Sequence, residues 1–250
     1  MGRNLHQQYY KNYFEGLDFS YYLQNNGTAP DGVKKEIKRR NASLCIGNLF
    51  EKMPPLDCSE QSFELEVLYP GLVTGIGINH EAKIEGEFKL GVHFDWTYGM
   101  PVIYGSSVKG VLKSYFKEFY KPKGGQPSAE DAIEDIFNGG KKSIYRRDIF
   151  FDAVIIKADN KGRILCSDSI TPHGDNPLKN PVPITFLKIA PGCQLEFRFK
   201  LVPTEFEKDG KVLTLSPEDK LNLFKEILTT VGIGAKTNVG YGQLKASDGQ

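Results

Sequence analysis

The sequence predicts an α+β chain whose central elements run β-α-β-β-α-β, and three observations predict it. Apolar residues alternate at a period of two in Phe63, Leu65, Val67, Tyr69 and again in Leu195, Phe197, Phe199, Leu201, which marks strands with one buried face. They recur at helical spacing in Val108, Val111, Leu112, Tyr115, Phe116, Phe119 and in Leu221, Phe224, Ile227, Leu228, Val231. The 250 residues are 40% hydrophobic and 25% charged, the composition of a chain with a real core.

Residues 1–55 read as a helical N-terminal extension. Tyr9, Tyr13, Leu17 and Tyr21 stand four residues apart, 27–31 is a turn, and a basic segment with Lys34, Lys35, Lys38, Arg39 and Arg40 runs over 33–49 before Pro54-Pro55. That cluster suits a solvated helix face or a contact to phosphate or a neighbouring subunit. The first strand is 62–69. After Pro70-Gly71, two pieces, 73–78 and the alternating 88–96, can pair as a ribbon. Gly105-Ser106-Ser107 opens a helix over 106–120, with Ser106 or Ser107 as its N-cap and Lys109, Lys113 and Lys117 on the polar stripe.

A Pro/Gly loop and a short acidic helix at 131–138 follow. Strands return at 149–157 and 163–166, with Asp159-Asn160-Lys161-Gly162 as the hairpin turn between them. Residues 167–183 hold Pro172, Pro177, Pro181 and Pro183 and should be irregular. Strands at 184–189 and 194–202 come next. The last helix, 216–231, has Ser216 as N-cap, Pro217 at its first position and acids in its first turn. Gly232 ends it, and a final strand covers 239–244. This is the ferredoxin-like βαββαβ order. The domain spans 56–250, with a β-ribbon insertion at 71–100 and insertions at 121–148 and 158–190.

Lys and Arg (32) nearly cancel Asp and Glu (31), so the formal charge of +1 draws the whole molecule to no polyanion, and any nucleic-acid face must be local. No apolar run approaches the ~18 residues of a membrane helix, and the start of the chain shows no signal-peptide pattern. A cytoplasmic protein is expected. Cys45, Cys58, Cys166 and Cys193 form no C-x-x-C pair and read as buried free thiols.

Between the last helix and last strand stands Gly232-Ile233-Gly234-Ala235-Lys236-Thr237-Asn238-Val239-Gly240-Tyr241-Gly242. Glycines let backbone N–H groups face outward, and Lys236, Thr237 and Asn238 add donors, so the loop can line a phosphodiester backbone. It is not a Walker loop, because Ala235 separates Gly234 from Lys236 and the order is helix, loop, strand. The dinucleotide fingerprint fails on the same order, with Thr237 where its third glycine belongs.

These residues resemble a known family. The loop, together with 98–110 (Tyr-Gly-Met-Pro-Val-Ile-Tyr-Gly-Ser-Ser-Val-Lys-Gly), is similar to the RAMP superfamily of CRISPR effector subunits over about residues 62–245. Within it, the length, 71–77 with His80 and Glu85-Gly86, and 168–173 look most like the sixth-subunit family of the type III-B (Cmr) module. Tyr104 departs from the pattern, which usually has proline there.

The resemblance implies a non-catalytic subunit near one end of a helical backbone, gripping the CRISPR guide RNA towards its 3′ end and contacting other RAMP subunits, with target RNA as a further candidate partner and no membrane. It implies RNA contacts at Gly105, Ser106, Ser107, Lys109 and Lys113 and at Gly232, Gly234, Lys236, Thr237, Asn238, Gly240 and Tyr241. A helix N-terminus at Gly105–Ser107 offers free N–H groups and positive potential to a phosphate. No cofactor is implied. The two segments should fold side by side into one seat for the strand.

Two alternatives stand beside it: a protein-only scaffold that holds partner subunits without guide RNA, and a metal-independent endoribonuclease acting on guide RNA through His80 or His173, which otherwise read as hydrogen-bonded loop histidines; His93 falls on the polar face of a strand. Asp152, Asp168 and Asp175, and Asp131, Glu134 and Asp135, follow no metal-motif spacing, and the last three suit a solvated helix face. Tyr98, Tyr104, Tyr145, Phe150 and Tyr241 are candidates for base stacking or for the core. Lys141, Lys142, Arg146 and Arg147 form a second basic cluster.

Overall fold

Residues 4–23, 27–75, 82–140, 142–171 and 183–247 are described in a computed structural model, with every side chain among them except that of Leu90. The strands are β1 (Gln61–Val67), β2 (Phe88–Leu90), β3 (His93–Phe94), β4 (Pro101–Ile103), β5 (Ile149–Phe150), β6 (Ala153–Lys157), β7 (Leu165–Ile170), β8 (Ile184–Ile189), β9 (Gln194–Lys200), β10 (Thr204–Lys208), β11 (Lys211–Leu215) and β12 (Leu244–Ala246). The α-helices are α1 (Leu5–Gln7), α2 (Asp31–Leu44), α3 (Gly105–Phe119), α4 (Ala129–Ile133) and α5 (Pro217–Val231).

The alternation in β1 buries Phe63, Leu65 and Val67, as its period predicts. Its antiparallel partner β9 places Phe197 opposite Phe63 and Leu195 opposite Leu65. Outward from this pair the main sheet runs β12-β1-β9-β6-β4-β3, and β5 also pairs with β9. Helices α3 and α5, with the turn at Glu134–Asn138, pack rings against it. Phe116 meets Phe137 at 5.5 Å, Phe137 meets Phe150 at 5.7 Å, and Phe224 meets Phe150 and Phe199 at 5.8 and 5.6 Å. Ser216 caps α5 by accepting from Asp219 N at 3.0 Å, and Gly232 at φ +74° stops it.

A buried ion pair ties α5 to the segment before β5. Lys220 Nζ reaches Asp148 Oδ2 at 2.6 Å and the Val202 carbonyl at 2.7 Å, while Asp148 Oδ1 accepts from Val202 N. Burial pushes the Asp148 carboxyl up and the Lys220 ammonium down, each against the pull of the other.

Several expectations are corrected by long-range pairing. The strand at 149–157 is two strands on β9, broken at Phe151-Asp152, where Asp152 turns aside to α3. The residues flanking 159–162 do not form a hairpin. Asp159 accepts from Lys161 N and Arg163 N, but β6 and β7 then leave for different sheets, β7 joining β8 and β2. Strand β7 extends to Ile170, into the stretch read as irregular; residues 172–182 lie outside the described ones. Residues 76–81 lie outside the described ones, and with them half of the first ribbon piece; of what is described, Gly75 N donates to the Gly91 carbonyl at 3.0 Å, while β2 pairs parallel to β8 and β3 antiparallel to β4. The final strand begins at Leu244, because 237–239 forms a 3₁₀ turn.

Strands β10 and β11 form an unforeseen hairpin whose Asp209 and Gly210 both take positive φ, the geometry an Asp-Gly pair favours. Within 1–55, Tyr9, Tyr13 and Tyr21 are buried; Tyr9 and Tyr13 share the helical stretch that continues from α1 through Asn12, Tyr21 lies on a separate 3₁₀ turn at Ser20–Tyr22, and α2 ends at Leu44. Cys58 is exposed, unlike Cys193, whose thiol burial pushes up to about 12.

Candidate nucleic-acid interface

The loop after α5 is held from behind. Segment 71–75 runs as a strap beside it: Ala235 N donates to the Val73 carbonyl (2.8 Å), Gly242 N to the Gly71 carbonyl (2.8 Å) and Ile233 N to the Gly242 carbonyl (2.9 Å). The N–H groups of Val239, Gly240 and Tyr241 close onto Lys236 and Thr237 carbonyls. Most of the loop's backbone donors therefore face inward, against the expectation that glycines turn them to solvent. The glycines serve close approach instead. A Cβ on Gly234 would lie 2.5 Å from the Val73 oxygen, and one on Gly242 would overlap the Ile233 oxygen.

What remains outside is the tip. Gly234, Ala235, Asn238 and Val239 are exposed and Lys236 and Thr237 half-buried, with Lys236 itself at φ +63°. Tyr241 points the other way. It is buried, its hydroxyl donates to Asp168 Oδ2 at 2.8 Å, and Lys188 pairs with the same oxygen while lying 5.3 Å over the Tyr241 ring. Burial, then the bond to Asp168 and its charge, push the phenol up to about 12. Burial also raises the Asp168 carboxyl, but the bonds from Lys188 and Tyr241 outweigh it and leave it below its usual range. This triad locks the loop onto β7 and β8.

The start of α3 is built differently from the expectation. The helix begins at Gly105, and its N-cap is Tyr104 without a side-chain bond, rather than Ser106 or Ser107. Gly105 N donates to Asp152 Oδ1 at 2.7 Å, and Ser107 N to the Tyr104 carbonyl. A carboxylate thus already sits at the helix N-terminus, where a phosphate was foreseen. Gly105 packs so close that a Cβ would overlap the Phe150 carbonyl. Lys109 lies 5.8 Å over the Phe150 ring, and Lys113 donates to Asn138 Oδ1 at 2.8 Å.

The described contacts connect the two segments through the strap rather than directly. Ala235 bonds Val73, Thr74 Oγ1 accepts from His93 N at 2.8 Å, and the His93 ring stacks on Tyr104 at 4.2 Å, next to Gly105.

The other candidates are largely satisfied within the chain. His80, His173, Asp175 and Lys141 lie outside the described residues. Burial lowers the His93 imidazole, with Asp152 pulling it partly back. Asp135 is buried and bonds Thr204 and Lys142, correcting its reading as solvated. Among the described residues, no three His, Cys, Asp or Glu groups could jointly hold a metal ion. Arg39 and Arg40 both bond Glu36, holding its carboxyl down at about 2, and Arg40 also caps the Asn12 and Tyr13 carbonyls.

Phe150 is a core ring, whereas Tyr145 (84% exposed) and Tyr98 (46%) face solvent. Tyr69, read as the fourth buried residue of the first strand, lies beyond the end of β1 and is 85% exposed beside the loop. The signal that could have placed it outside is the following Pro70-Gly71, which ends the strand. No helix among the described residues is long and apolar enough to cross a membrane.

A family model described as "RAMP superfamily" matches residues 59–245. The CRISPR system CMR subunit Cmr6 of Saccharolobus solfataricus is 30% identical over 164 residues, covering 64% of this chain and 50% of that protein. The chain thus spans about half the length of this curated relative. A cryo-EM structure of the type III-B Cmr-beta bound to cognate target RNA contains a chain that is similar in fold, with TM-score 0.50 and 22% identity over 74% of this chain and 57% of that one. The crystal structure of Cmr6 from Pyrococcus furiosus is 19% identical over 75% of this chain and 97% of that one, at TM-score 0.37.

Proposed function

The chain belongs to the RAMP superfamily, and from that premise we propose that it is a non-catalytic, RNA-binding subunit of a type III-B CRISPR ribonucleoprotein effector, gripping the guide RNA backbone towards its 3′ end and contacting neighbouring RAMP subunits. The likeness to Cmr6 and the fold shared with a chain of a target-RNA-bound Cmr assembly support this reading. The observation that carries it is the solvent-facing tip 234–239. Lys236, Thr237 and Asn238 stand between Ala235 and Gly242, whose N–H groups are tied to the strap, so the donors are held in place before a ligand arrives. A cation, a hydroxyl and an amide reach phosphate and sugar without reading a base, which suits a guide of variable sequence.

Ser106, Ser107 and Lys109 form a second, weaker contact, with Asp152 limiting what the helix N-terminus can offer an anion. The strand order β12-β1-β9-β6, antiparallel at each step, supports reading the domain 56–250 as ferredoxin-like, with 1–55 as a helical extension.

The test uses the assembled complex. Lys236→Ala combined with Lys109→Ala should weaken guide binding about equally for unrelated spacers and flatten the dependence of log K on log salt. Unchanged affinity in fluorescence anisotropy would overturn the assignment. Cleavage of guide RNA by the purified chain, lost in His80→Ala or His173→Ala, would replace this reading with the endoribonuclease.

A further inference from the structure

We infer that Tyr69 is a base-stacking residue: an unpaired nucleobase of single-stranded RNA lies on its ring while the adjoining phosphates sit at the 234–239 tip. The inference rests on the function proposed above and adds to it a base contact.

Tyr69 presents an 85% exposed ring, an open π face within reach of a ligand at the neighbouring tip. It is also held. Gly71 N donates back to the Leu68 carbonyl at 2.8 Å, closing a turn around Tyr69 and Pro70, and Leu68 N donates to the Gln243 carbonyl at 2.9 Å. Gly242 N donates to the Gly71 carbonyl, so both ends of the turn are bonded to the same stretch of chain that ends the loop.

The turn lies against the tip. Pro70 Cδ is 3.9 Å from where a Cβ on Gly240 would stand, and the Tyr69 phenol is close enough to Tyr241 to contribute to the rise in its pKa. Val239, at the end of the tip, adds a 63% exposed apolar side chain. Tyr241 is buried under Lys188 and bonded to Asp168, whereas Tyr69, among the described residues, is an exposed ring flanking these donors. Two rotatable side-chain bonds on a fixed turn lose little entropy when a base stacks. Every base has a π face, so the contact keeps the sequence indifference of the tip.

The experiment measures anisotropy of a fluorescein-labelled single-stranded guide RNA in the assembled complex, for Tyr69→Ala, Tyr69→Phe, Tyr69→Trp and Lys236→Ala, with single abasic sites scanned along the guide. Tyr69→Ala should bind about 5- to 150-fold more weakly with the salt slope unchanged, while Tyr69→Phe and Tyr69→Trp stay near the parent. One abasic position should weaken the parent similarly and have no further effect on Tyr69→Ala. Parent-like binding by Tyr69→Ala while Lys236→Ala is weakened overturns the stacking and leaves the proposed function standing. A Tyr69→Ala defect undiminished at every abasic position points to a protein contact and also overturns it. Parent-like binding by both variants overturns the proposed function itself.

Discussion

Replacing Gly242 and Gly240 separately by alanine distinguishes glycines that hold the loop on its strap from glycines that merely keep it open. Both take positive φ, +74° and +93°, where an L side chain costs about 1–2 kcal/mol. At Gly240 the nearest atom to an added Cβ is 3.9 Å away, so that strain is the whole penalty. At Gly242 the Cβ would overlap the Ile233 oxygen, and relieving the overlap opens the bonds from Ile233 N to Gly242 O and from Gly242 N to Gly71 O. At about 1 kcal/mol for each bond, Gly242→Ala should cost roughly 3–4 kcal/mol against about 1–2 for Gly240→Ala. Urea unfolding followed by circular dichroism reads the difference: for a slope of about 2 kcal/mol/M, the Gly242→Ala midpoint falls by roughly 1.5–2 M. Equal midpoints for the two variants would refute the claim that the strap holds the loop.

Other consequences concern the groups around the site and core. Lys220→Met leaves Asp148 buried without its counter-charge and should cost about 3–5 kcal/mol; adding Asp148→Leu recovers part but leaves the Val202 N–H and carbonyl unpaired, and a double-mutant cycle with no recovery would contradict the pairing. Tyr241→Phe loses one bond to a carboxylate that is a third exposed, so a loss near 1 kcal/mol is expected, and an unchanged melting temperature would argue against the triad. Because the folded Asp168 carboxyl lies below its usual range, it stabilises the chain above the unfolded value and that contribution fades as pH falls through the folded one. Melting curves from about pH 6 down to 3 should therefore decline less steeply for Asp168→Asn, and parallel profiles would exclude Asp168 as a contributor.

The parts legible in the sequence are those whose causes are local. Phe63, Leu65 and Val67 alternate because one face of β1 is buried, and Ser216, Pro217 and Gly232 mark the ends of α5 by their own cap geometry. The Asp209-Gly210 hairpin carries a local signal too, close before the stronger helix start at Ser216. The features missed depend on partners far away along the chain. The helix start at Gly105 is set by Asp152, 47 residues on, and the inward turn of the loop by the carbonyls of Gly71 and Val73. A glycine spaced for an open phosphate cradle and one spaced for close packing against a strap look the same in sequence. Tyr69 continued an apolar alternation into a position the chain had already carried past the sheet.

Cross-linking tests the account most directly. Assembled complex carrying a guide RNA with photoreactive nucleotides near its 3′ end is irradiated, digested and mapped by mass spectrometry. The account predicts adducts on 234–239 and on Tyr69, at the same residues for guides of different spacer sequence. Adducts confined to other surfaces, such as the basic face of α2, with none on the tip, would contradict it.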